Sequence, residues 1–154
     1  MKKKGLFLSA LLFTFILLFT GCGKKKAITS SDFKSKAEAE GYTVVDVVNQ
    51  FSATGYVKEA YVARSNEGYQ IEFYVLTDND MAKSMFETNK GIIENINGNN
   101  KMKTEVNLSN YNKYSITTSS NYGYLCRIDN TLVYVNTSKD YKDKVKSFIK
   151  KIKY

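Results

Sequence analysis

From Tyr69 to Leu76 the chain alternates: Ile71, Phe73 and Val75 fall on one side, Gln70, Glu72 and Tyr74 on the other. A period of two puts successive side chains on opposite faces of a strand, so the segment reads as part of a sheet with one packed face. A strand needs neighbours, and the flanking sequence offers them. Gly55 opens a strand through Val57, Tyr61 and Ala63, and Ser65-Asn-Glu-Gly68 then reads as the hairpin loop that turns it back. Upstream, Tyr42 to Val48 is β-rich, with Val45 and Val47 on one side.

Three more strands are expected downstream, one at 103–108 or 113–118, then Gly123–Ile128 and Thr131–Val135. Asp129-Asn130 fits a two-residue hairpin between the last two. Helices punctuate this pattern. One is expected from Asp32 to Glu40, capped by Ser31, with Phe33 and Ala37 on one face and Gly41 at its end. A second starts at Asp78 or Asp80 and carries Met81, Met85, Phe86, Ile92, Ile93 and Ile96; Gly91 weakens it by about 1 kcal/mol relative to Ala. A third, capped by Ser138, shows a regular apolar stripe of Tyr141, Val145, Phe148, Ile149 and Ile152. The expected fold is α+β, a mainly antiparallel sheet with helices packed on one face. Glu72–Thr77 leading into Met81 and Met85 parallels Leu132–Thr137 leading into Tyr141 and Val145, which raises a worn β-β-α duplication.

Composition excludes more than it asserts. There is no His, so His-dependent triads, most catalytic zinc sites and imidazole pH switches are out. The formal charge of +8 is concentrated at the ends. Residues 27–139 hold eleven basic and thirteen acidic side chains, whereas residues 140–154 hold six Lys against Asp140 and Asp143. With the body slightly acidic, nucleic acid is not an expected partner. The abundance of Lys, Asn, Tyr and Ile fits AT-rich codons and a Gram-positive source.

The N-terminus divides the chain. Lys2 to Lys4 precede an apolar run from Gly5 to Phe19, shorter than the ~20 residues a spanning helix needs. It stops at Phe19-Thr-Gly-Cys22, which resembles the lipobox of bacterial lipoproteins, with Phe19 in place of the usual Leu. The resemblance implies a signal peptide over 1–21, cleavage between Gly21 and Cys22, and a diacylglyceryl group on the Cys22 thiol. Residues 22–30 become the lipidated Cys and its tether, and 31–154 a single domain outside the cell membrane. Two acyl chains anchor a protein stably, and Lys24, Lys25 and Lys26 would then contact anionic headgroups. Beyond the lipobox, the pattern of the domain resembles the small lipoproteins of Gram-positive bacteria as a class.

Within the domain no catalytic residue, metal site or cofactor is expected. Cys126 has no disulfide partner once Cys22 is a thioether, and its strand setting beside Tyr124 and Ile128 reads as a buried hydrophobe. Asp78/Asp80 and Asp140/Asp143 sit at helix starts, where acids favour the dipole. Asp78-Asn-Asp80 falls short of a calcium loop, with Lys83 where Gly is required. Tyr111, Tyr114, Tyr122 and Tyr124 cluster in an Asn- and Ser-rich stretch and form a candidate binding surface for sugars or proteins, against the plain β-propensity of Tyr. The lysines of the last helix read as a solvated face or as a contact for anionic lipid or wall polymer. The leading expectation is a non-catalytic, lipid-anchored domain binding an envelope protein or polymer. The alternatives are an enzyme or enzyme accessory acting on cell-wall material, and a small-ligand carrier.

Overall fold

The computed structural model describes residues 24–154. Gly21 and Cys22, with the whole apolar run, lie outside them. Helix α1 (Ser30–Ala39) is started by Thr29 rather than Ser31: the Asp32 N–H donates to Thr29 Oγ1 at 3.1 Å, and Asp32 Oδ2 accepts from the Thr29 N–H, a reciprocal capping box. Strand β1 (Thr43–Asp46) follows, then a 3-10 turn at Val48–Phe51, then β2 (Val57–Arg64) and β3 (Gln70–Leu76). Asp78 caps α2 (Asn79–Glu94), its Oδ1 accepting from the Asp80 and Met81 N–H groups at 2.9 Å. These hydrogen bonds, from Met81 first, hold its carboxyl below the usual range.

Both candidate segments after α2 are strands: β4 (Met102–Leu108) and β5 (Tyr111–Thr117), joined at Ser109-Asn110. Strands β6 (Asn121–Ile128) and β7 (Thr131–Ser138) turn at Asp129-Asn130 as expected. Ser138 caps a 3-10 turn, Lys139–Tyr141, which runs into α3 (Lys142–Lys151).

The seven strands form one antiparallel sheet in the order β1-β2-β3-β7-β6-β5-β4. Two meanders, β1 to β3 and β4 to β7, meet where Phe73 pairs with Val133. The expected α+β class therefore holds, but the helices do not share one face. Phe33 and Ala37 of α1 and Val145, Phe148, Ile149 and Ile152 of α3 pack on a first face with Ile71, Phe73, Cys126 and Val133. Ala82, Phe86 and Ile93 of α2 pack on the second, against Tyr74, Leu76, Ile116, Leu125 and Leu132. The reason is that the central strands are apolar on both sides: β6 is buried from Tyr122 to Ile128, and Tyr74 is buried although its neighbours' alternation made it seem outward. Gly123 lets α2 sit close, since a Cβ there would come within 3.0 Å of Ile116 and 3.2 Å of Ile93. The two hairpin–helix units send α2 and α3 to opposite faces, so no two-fold axis normal to the sheet relates them, and the proposed duplication is not a symmetric one.

The packed body also begins before residue 31. Ala27 and Ile28 pack against the first-face core, and the Asn110 amide donates to the Lys25 carbonyl at 2.7 Å.

Candidate functional site

Register builds the floor of the site. Across β4, β5 and β6, Met102 lies beside Thr117 and then Tyr122; the next row is Thr104, Ser115, Tyr124; the next brings Lys113 beside Cys126. These rows belong to the first face, where α1 covers the opposite half of the sheet. Helix α3 stands over them as a wall, presenting Lys142, Lys146, Ile149 and Lys150, and Lys153 just beyond its end and Lys25 of the tether complete the rim. The result is an open groove of about 640 Å³.

Its electrostatics are one-sided. Six lysines line it, at positions 25, 113, 142, 146, 150 and 153, together with Thr and Ser hydroxyls and no Asp or Glu side chain. Lys142, Lys146 and Lys150 recur every fourth residue, about 6 Å apart along the helix. Among the described residues none of the six makes a salt bridge. Residues 1–23 contain no acidic side chain that could supply one. Three ammonium groups instead lie over tyrosine rings: Lys25 over Tyr111 at 4.9 Å, Lys113 over Tyr124 at 5.6 Å and Lys142 over Tyr122 at 5.8 Å. A ring quadrupole orients a cation without neutralising it.

Tyr124 forms part of the floor with only 2% of its surface exposed, and its buried hydroxyl has no hydrogen-bond partner. Burial raises its pKa, with the Cys126 thiol as the next contributor. Burial, followed by the Asp143 charge, pushes Tyr122 up to about 12. Cys126 is fully buried and burial likewise pushes its thiol up to about 12. It stays protonated at neutral pH and is a poor nucleophile, in keeping with its reading as a core residue.

The four tyrosines do not make an exposed surface. Tyr111, Tyr114, Tyr122 and Tyr124 are all buried, and Tyr114 faces α2 on the second face. The alternation of a strand separates residues three apart, so Tyr111 and Tyr114 of β5 could not share a side. Only Tyr122 and Tyr124 reach the groove. Of the tether lysines, Lys24 pairs with Asp129 at 3.5 Å, Lys25 lines the groove and Lys26 is exposed.

A smaller hollow of about 460 Å³ lies across α3, between Glu40, Tyr42, Glu67, Tyr69 and Phe148. There the acids are answered: Lys144 binds Glu67 and Lys151 binds Glu40. Among the described residues no three His, Cys, Asp or Glu side chains gather to hold a metal.

Two residues, one in the groove and one in the turns beside it, have roles that their sequence setting does not show. Lys113 looked like any lysine of an alternating strand. Arg127 is 1% exposed and joins both hairpin turns: its Nε donates to Asn112 Oδ1 at 2.6 Å, Nη1 to the Asp129 carbonyl at 2.8 Å and Nη2 to the Ser109 carbonyl at 3.1 Å. Burial lowers its pKa and the nearby Asp129 charge opposes this. No family model, no curated protein and no solved structure matches the chain.

Proposed function

We propose that this chain is a lipid-anchored, extracytoplasmic domain that works by binding rather than catalysis, and that its lysine-lined groove takes an anionic component of the cell envelope. The anchor rests on the lipobox-like Phe19-Thr-Gly-Cys22 and the apolar run before it. The observation that carries the ligand class is the set of six groove lysines, none of which makes a salt bridge among the described residues. Like charges held together destabilise a fold unless a counter-charge arrives, so such a groove favours an anionic occupant. The lining offers cations and hydroxyls but no Asp or Glu side chain to serve as general base, which supports binding over hydrolysis.

The anchor is tested by Cys22→Ser, which should lose the acyl mass and leave the membrane fraction; an unchanged mass and location would refute it. The groove is tested with the acylated protein in zwitterionic vesicles and inorganic polyphosphate as probe. Lys146→Glu with Lys150→Glu should weaken binding by about tenfold or more at low salt, while Lys144→Glu with Lys151→Glu, on the other flank of α3, should change it by less than about twofold. Equal losses from the two pairs would mean that net charge, and not the groove, binds the probe.

A further inference from the structure

We propose that the groove face lies against the membrane that holds the acyl chains, and that the phosphodiester headgroups of anionic phospholipids are the counter-charge of its lysines. This rests on the anchored, anion-binding reading above and names the anion.

Lys25 stands on the rim of the groove and is three residues from Cys22. Three extended residues span at most about 11 Å, so the anchored residue leaves the domain beside the groove. Lys24 and Lys25 are both held to the body of the domain. The Lys25 carbonyl accepts from the Asn110 amide at 2.7 Å, and Lys24 pairs with Asp129 at 3.5 Å.

Strand β4 leaves two large apolar side chains in the open, Met102 at 65% and Leu108 at 57% exposed. Register puts Met102 opposite Thr117 and Leu108 opposite Tyr111, on the floor side of the sheet. Lysines around a concave face with apolar side chains at its margin match the interfacial layer of a bilayer, where apolar groups enter the headgroup boundary and cations meet phosphate. A soluble polyanion accounts for the lysines but gives the exposed Met102 and Leu108 nothing to do.

Lys103, on the reverse of β4, is within 3.5 Å of Glu94, and Lys90 is 2.6 Å from Glu105. Those two lysines meet carboxylates and the groove lysines do not, so an anionic surface orients the domain groove-down.

The test uses the full acylated protein reconstituted in vesicles of phosphatidylcholine, with or without phosphatidylglycerol. Lysines are acetylated with acetic anhydride, an uncharged reagent that an anionic surface does not repel, and labelling is read by mass spectrometry. Lys113, Lys142, Lys146, Lys150 and Lys153 should react several-fold more slowly in the phosphatidylglycerol vesicles, and Lys83 and Lys103 at the same rate in both. Because the chain has no tryptophan, Met102→Trp gives a single reporter, whose emission should shift to the blue with phosphatidylglycerol alone. Equal labelling of the groove lysines in both vesicle types would overturn the proposal. If inorganic polyphosphate, added to the phosphatidylcholine vesicles, slows those lysines while phosphatidylglycerol does not, the groove binds anions and does not face the lipid. If neither slows them, the anion-binding reading falls as well.

Discussion

Helix α3 carries lysines on two flanks, and the two have opposite fates. On one, Lys144 reaches Glu67 in the β2–β3 turn and Lys151 reaches Glu40 at the end of α1, so each ties the helix to another element. On the other, Lys142, Lys146, Lys150 and, just past the helix, Lys153 line the open groove over β4 to β6, where Lys142 lies over the Tyr122 ring and none of them makes a salt bridge among the described residues. The residue type is the same and so is the helix. What differs is whether the fold brings acceptors to the cation. Cations that are answered hold the domain together, and cations left unanswered are available to something else.

Arg127 is the extreme of the answered kind and gives the largest expected effect. Its guanidinium is enclosed and satisfies Asn112 and the carbonyls of Ser109 and Asp129, so it braces the turns between β4 and β5 and between β6 and β7. Arg127→Met keeps much of the volume but leaves those acceptors unmet. Urea denaturation should show a loss of about 2–4 kcal/mol, the range for stripping partners from buried polar groups. A loss under about 1 kcal/mol would show that water replaces the guanidinium freely, and the distinction between enclosed and open cations would lose its strongest case.

The α3 clamp comes next. The Lys151–Glu40 pair joins side chains that are 49% and 36% exposed, where solvent screens the attraction. Glu40→Gln should lower stability by less than about 1 kcal/mol, and the difference should shrink further in high salt. Binding of polyphosphate to the groove should be untouched. A change in that binding would mean that the two flanks are coupled through the helix rather than separate.

Much of this architecture was legible in the sequence because it is local. The alternation of β3, the Asp129-Asn130 turn and the stripe of α3 each sit within a dozen residues. The second helical face was concealed because Tyr74 and Leu125 belong to strands buried on both sides, where alternation no longer separates inside from outside. The groove was harder still. Its lysines come from the tether, from β5 and from α3, and only pairing of β5 with β6 places Lys113 beside Cys126 under the helix. Sequence proximity even misled, since it grouped four tyrosines that the sheet divides between its faces. Arg127 could not be recognised as a brace because two of its three acceptors lie fifteen or more residues away.

The smallest expected effect probes the same contrast with neutral groups. Tyr154 and Tyr124 are both buried tyrosines of the first face, but their hydroxyls differ. Thr131 Oγ1 donates to the Ile128 carbonyl at 2.6 Å and accepts from the Tyr154 hydroxyl at 2.6 Å, so that hydroxyl belongs to a closed chain. The Tyr124 hydroxyl, on the groove floor, has no partner. Tyr154→Phe should therefore cost about 1 kcal/mol, the ordinary net worth of a buried hydrogen bond. Tyr124→Phe removes a desolvated group that gains nothing in return, and stability should stay level or rise slightly. Paired thermal melts of the two variants decide it. An equal loss in both would mean that the Tyr124 hydroxyl is satisfied within the fold.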